Sequence, residues 1–243
     1  LPSHAGPQAQ QWVETFQSSP AAYGGSTKDM AARLTTVTGT LRFQFPISVG
    51  GSQIRIRFSN ESGAKPLKIG AASVALTTGV DGAAAGPVAP VTFGGRASIS
   101  LPTGAPALSD AVALPVKAGA QILVSVDVPD GLDLDSYGAT GLWIAPGDQT
   151  GANVMTGAAM VIGRPVVSGV GVLTTPVPVI VTLGDSITAG GRKTPVEPHG
   201  WPEGLSGRFH GDAAVINAGI AGNRVLNDGY GQGALARLDR DVL

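Results

Sequence analysis

The chain has 243 residues, of which 43% are hydrophobic and only 14% charged, with a formal net charge of −1. That composition belongs to a globular, water-soluble protein with ample core material, and the near-neutral balance gives no electrostatic case for nucleic acid or an anionic membrane surface. Cysteine is absent, which excludes disulfides and thiolate metal sites, and no apolar run approaches the roughly 20 residues needed to span a bilayer.

Residues 1–10 read as a loose arm. Trp12 to Gln17 predicts a first strand, with Trp12 expected in the core. From Thr36 the pattern becomes β: Leu41, Phe43, Phe45 and Ile47 alternate with polar residues, as do Ile54, Ile56 and Phe58 with Arg55 and Arg57. Val49-Gly50-Gly51-Ser52 between them has hairpin chemistry. Period two with one polar face predicts an antiparallel sheet, half exposed, so Arg55 and Arg57 are expected on a solvated face.

The same pattern continues through Leu67–Leu76 (a strand pair or one bent strand), Ala97–Leu101, Ile122–Val128, Leu142–Ala145 and Ala158–Ile162. Turn-forming residues, such as Pro129-Asp130-Gly131, separate these pieces. Many short strands at such intervals predict a β-sandwich of jelly-roll type over residues 1–175. Ser59-Asn60-Glu61-Ser62-Gly63 reads as a turn. Asp133, Asp135 and Asp148 read as turn carboxylates, because the remaining oxygen ligands of a calcium loop are missing. Thr174-Thr175-Pro176 is the expected boundary.

Beyond it the pattern changes. Val179 to Leu183 is a short Val/Ile-rich run of the kind buried on both faces of a parallel sheet, and it stops at Gly184-Asp185-Ser186. A serine at that place, opening a helix at the end of a strand, sits where open α/β sheets bind ligands. An ordinary turn with an N-cap serine has the same sequence. Trp201 to Phe209 predicts a crossover helix with Pro202 in its first turn. Asp212 to Asn217 predicts a second strand, followed by Ala218-Gly-Ile-Ala-Gly-Asn-Arg224. Strand, helix, strand makes a βαβ unit.

Gly184-Asp185-Ser186-Ile187-Thr188, followed by the Gly222 loop, resembles the first two blocks of the GDSL, or SGNH, hydrolases. The resemblance implies an α/β/α flavodoxin-like domain beginning at residue 176, with residues 176–243 as its first part. It implies Ser186 as nucleophile and the Gly222 N–H as part of an oxyanion hole. Asp185 is expected to fix the turn through backbone hydrogen bonds. The implied activity is hydrolysis of carboxylic esters, short acyl esters on carbohydrate in particular, without metal or organic cofactor. Acyl transfer to a sugar on the same machinery, and a carbohydrate-binding or scaffolding module with an inactive hydrolase part, stand as alternatives.

The family's later Gly-x-Asn-Asp and Asp-x-x-His blocks have no counterpart here. Asn227-Asp228 falls too soon after Gly222, with no strand between, and His4, His199 and His210 each lack an aspartate three residues before them. Ala234 to Leu243 predicts a helix, after which a strand carrying the third block is expected. The chain therefore reads as the N-terminal portion of the family's fold, completed by a second polypeptide or by more of the same one. The start at Leu1 fits a secreted or periplasmic protein that has lost a signal peptide, and equally a trimmed chain.

Overall fold

The computed structural model of the protein describes residues 9–21, 34–135, 140–164, 166–190 and 200–243. Most strands belong to two antiparallel sheets. In spatial order the larger comprises β11 (Ala159–Gly163), β10 (Thr140–Ala145), β2 (Leu34–Pro46), β9 (Gln121–Asp135), β5 (Ala71–Thr77) and β6 (Ala89–Val91). The smaller comprises β1 (Gln11–Gln17), β12 (Val167–Thr174), β3 (Ile54–Ser59) and β8 (Pro106–Leu108). A short ladder joins β4 (Leu67–Ile69) to β7 (Ile99–Leu101).

The alternation read from the sequence builds one shared core. Ile54, Ile56 and Phe58 of β3, with Val170 and Val172 of β12, pack in the same cluster as Leu41, Phe43 and Phe45 of β2 and Ile122, Val124 and Val126 of β9. Phe16 and Phe45, whose ring centroids are 4.1 Å apart, join the two sheets directly. Each such side chain contributes about 1.5–3 kcal/mol on burial, so this core is the main source of the chain's stability. No helix among the described residues is long and apolar enough to cross a membrane.

Several local expectations change. Val49 to Ser52 does not make a hairpin, because β2 and β3 belong to different sheets. Instead the link crosses between layers, and Gly51 pairs with Val116 while Ser52 N–H donates to the Leu173 carbonyl. Pro129-Asp130-Gly131 does not end a strand. β9 runs through it, and the ladder shifts between Val37 and Gly39 opposite this triplet, an irregularity of the bulge kind. A strand not read from the sequence, β12, runs up to the expected boundary as an interior strand between β1 and β3, its alternation interrupted by glycines 169 and 171.

The polar positions Thr40, Arg42 and Gln44 in the second half of β2 are not exposed either. Arg42 is 1% accessible, and its guanidinium donates to Ser125 Oγ and to the carbonyls of Gly82, Ala152 and Asn153 at 2.6–3.1 Å. Loops thus cover the outer face of the larger sheet and satisfy the cation with backbone oxygen. Asp133 lies in β9 rather than in a turn, binding Thr36 Oγ1 at 2.7 Å and Lys65 at 3.1 Å. Asp148 does hold a turn, accepting from the backbone N–H and the hydroxyl of Thr150. The 59–63 segment is the expected turn, tied down by Asn60, whose amide donates to the carbonyls of Lys65, Leu101 and Pro102.

Following the sandwich come β13 (Val179–Gly184), the single helical turn α1 (Ser186–Ala189), α2 (Trp201–Phe209), β14 (Ala214–Gly219) and a second single turn, α3 (Leu238–Asp241). β13 and β14 pair in parallel from Val179↔Ala214 to Gly184↔Gly219. β14 is largely buried, with Ala214 clustering against Val13 of β1 and Val49. β13 is not buried on both faces as its apolar sequence suggests. Only Thr182 is buried, and Val179 is 44% exposed, because among the described residues β13 has one neighbouring strand and an open outer edge. The helix expected over 234–243 shrinks to α3: the N–H groups of Ala234 and Leu235 donate to the Arg224 and Val225 carbonyls, which ties that stretch to the preceding loop.

On the outer face of the smaller sheet, Arg55 stacks over Trp12 at 4.3 Å, so Trp12 lies outside the core. Arg57 pairs with Glu61 at 2.9 Å. Glu14 is placed against Gly169, where any side chain would collide with its carboxylate. Burial, only partly opposed by Arg57, pushes the Glu14 carboxyl up to about 7. A raised carboxyl pKa means that the folded state resists ionisation, so the cost is absent below the ordinary value near 4.5 and grows until pH passes 7. Glu14→Gln should therefore leave the unfolding free energy, and with it the melting temperature, unchanged at pH 4 and raise both at pH 8, the free energy by an amount on the order of 2 kcal/mol. Thermal unfolding followed by circular dichroism at the two pH values checks this.

Candidate functional site

The parallel pairing carries β13 and β14 to the same end of their sheet. Gly184 and Gly219 are register partners there, and the Ser186 turn and the Gly222 loop follow them directly. Two contacts lock the turns together: Ile220 N–H donates to the Gly184 carbonyl at 3.0 Å, and Asn217 Nδ2 donates to the Thr188 carbonyl at 2.9 Å. The second is possible because position 219 is glycine, where a Cβ would collide with the Thr188–Ala189 backbone. Gly184 is confined in the same way by the Thr188 side chain.

Asp185 caps α1, its carboxylate accepting the Ile187 N–H at 2.9 Å. That anchors the turn and leaves Ser186 exposed at its tip. Among the described residues neither the Ser186 N–H nor the Gly222 N–H has an acceptor, although their neighbours Ile187, Ile220 and Asn223 all do. Gly222 adopts φ +72°, a left-handed conformation that costs an ordinary residue about 1–2 kcal/mol. The Gly222 loop and the Ser186 turn thus each present one backbone donor without an acceptor, at the same end of the sheet.

Residues that the sequence reading passed over hold this arrangement. Arg237 is 1% accessible and donates to the carbonyls of Ala218 (2.6 Å) and Gly184 (3.3 Å), and to Asn223 Oδ1 (2.9 and 3.2 Å). Asp241, one helical turn on, pairs with it at 2.6 Å and also with Arg240 at 2.6 Å. Burial would raise the Asp241 carboxyl, but hydrogen bonds from Arg240 and Arg237 outweigh it and hold the group below the usual carboxylate range. The i,i+4 spacing of Arg237 and Asp241 was the available signal.

No histidine is joined to Ser186 among the described residues. His210 caps the C-terminal end of α2, ahead of β14 and so at the opposite end of the sheet, while His4 and His199 lie outside the described residues. Asn227 and Asp228 belong to the loop after Gly222, where Asp228 accepts the Gly233 N–H at 2.8 Å. A cavity of about 450 Å³ lies between α2, β14 and the sandwich, lined by residues such as Phe45, Ile47, Pro202, Ser206 and Asn217 but by neither Ser186 nor Gly222. The serine stands outside it, on an open surface flanked by Ile187, which is 78% exposed.

Compared with protein-family models and with curated protein sequences, the chain matches none. The chemistry of the site therefore rests on its own geometry and on the motif resemblance.

Two substitutions separate the turn from its surroundings. Asp185→Ala should cost about 1 kcal/mol of stability through loss of the cap. Gly219→Ala, which drives a Cβ into the α1 backbone, should cost more and should bring the two loops out of register. Urea unfolding of both variants gives the comparison, and a Gly219→Ala protein as stable as the parent would contradict the close approach.

Proposed function

We propose that the protein is a serine esterase acting on carboxylic esters, with Ser186 as nucleophile and the N–H groups of Ser186 and Gly222 as oxyanion donors. The reading is supported above all by an exposed serine and two backbone donors without acceptors on the turns that follow the paired ends of β13 and β14. The resemblance of residues 184–188 and 219–224 to the hydrolase blocks supplies the reaction type.

In this scheme Ser186 Oγ attacks the ester carbonyl carbon while a base takes its proton. The carbonyl oxygen becomes an oxyanion and accepts hydrogen bonds from Ser186 and Gly222; loss of one such donor typically costs about 100-fold or more in rate. Collapse expels the alcohol, protonated by the same base, and water then hydrolyses the acyl-enzyme. This acyl transfer requires neither metal nor cofactor. The base, expected to be a histidine oriented by an aspartate, and a third donor from asparagine are not among the described residues. Their supply belongs to the same proposal. The open edge of β13, which has one neighbouring strand among the described residues, favours a further strand pairing there, from more of this polypeptide or from a second one.

The β-sandwich beside the hydrolytic unit favours an acylated carbohydrate as substrate, encountered outside the cytoplasm. A domain boundary near residue 175 goes with this reading. Hydrolysis of an aryl acetate by the complete protein should fall by at least about 1,000-fold in Ser186→Ala. Labelling of the parent by a fluorophosphonate should map to Ser186. Polysaccharide binding without turnover, unaffected by Ser186→Ala, would overturn the esterase reading in favour of a binding module.

A further inference from the structure

Arg237 is buried far more deeply than a structural surface arginine, and its contacts are unusual in their targets. Its guanidinium reaches the carbonyl of Gly184, the last residue of β13 and two before Ser186. It reaches the carbonyl of Ala218 near the end of β14. It also makes two hydrogen bonds to the side-chain oxygen of Asn223, the residue after Gly222. Asn223 in turn donates through Nδ2 to the carbonyls of Gln232 (2.7 Å) and Tyr230 (3.3 Å), so the loop is gripped from both sides. One planar, always-charged group thus measures the distance between the nucleophile turn and the oxyanion loop, a task that suits a guanidinium fork and not a lysine.

The cation itself is held from behind. Asp241 accepts from Arg237 Nη1, its other oxygen is engaged by Arg240, and the Asp241 carbonyl accepts from Gln17 of β1 at 3.2 Å. Ser19 Oγ adds a contact to Arg237 at 3.4 Å. The clamp therefore ties the sandwich to the end of the α/β unit where Ser186 lies.

We propose that Arg237, acting through Asn223 and the Gly184 carbonyl and backed by Asp241, is a positioning residue that sets the separation of the Ser186 and Gly222 N–H donors. This rests on the reading of Ser186 as nucleophile. Arg237 touches no substrate. Its effect falls on the transition state, in which the oxyanion must meet both donors, and not on ground-state binding. A displacement on the order of 1 Å in such a pair can cost about 100-fold in rate.

The test uses the complete protein and an aryl acetate. Arg237→Lys and Asn223→Ala should each lower kcat by about 10- to 100-fold with KM within about threefold of the parent. Asn223→Ala leaves the buried ion pair intact, so it reports on the clamp even where Arg237→Lys fails to fold. Arg237→Ala should regain part of its kcat when millimolar guanidinium is added, which a lesion of folding alone would not do. Folded Asn223→Ala and Arg237→Lys proteins with parental kcat would overturn the positioning role while leaving the esterase reading standing. Absence of any Ser186-dependent turnover in the parent would overturn both.

Discussion

A two-stranded parallel sheet has no interior of its own. β13 and β14 exist as a sheet because β14 lies against β1 of the sandwich, where Ala214, Val13 and Val49 exclude water together. The consequence is an asymmetry. β14, backed by the sandwich, is nearly all buried, whereas β13, on the far side, keeps only Thr182 from solvent. The Ser186 turn therefore grows from the less supported strand, and its position depends on polar contacts to its neighbour more than on packing.

Those contacts follow one chemical rule, which appears in two places. Arg42 and Arg237 are both buried, and both are surrounded by backbone carbonyls. A buried guanidinium with several oxygen acceptors recovers much of its lost hydration and fixes every segment that contributes an oxygen. At Arg42 the segments are loops covering a sheet. At Arg237 they are the ends of the two strands that carry the candidate site, and an added carboxylate, Asp241, compensates the charge. Removing either arginine would strand several carbonyls at once, which is why such groups specify a geometry more than they stabilise it.

Much of the sandwich was legible because its signal is local. Alternation in Leu41–Ile47, Ile54–Phe58 and Ile122–Val128 reports directly which side chains enter a core. The misreadings occurred where that signal is silent or shared. Gly169 and Gly171 broke the alternation of β12, Pro129 to Gly131 looks the same in a bulge as in a turn, and Val49 to Ser52 looks the same in a crossover as in a hairpin. The candidate site was legible at Ser186, Asp185 and Gly222, because glycine and capping residues carry their backbone demands with them. Its clamp was not, since Asn223, Arg237 and Asp241 acquire their roles only from what they meet.

By itself, then, the sequence determined the strand-rich first part, the βαβ pattern after residue 176, and a serine turn capped by Asp185. These depend on residue type and period, which act over a few positions. The tertiary structure decided which strands share a sheet, which face of β13 remains open, and that Arg237 reaches Gly184 across 53 positions of chain. Such pairings depend on the summed burial of distant apolar groups and on the need of each buried polar group for a partner. Neither is a property of any short stretch.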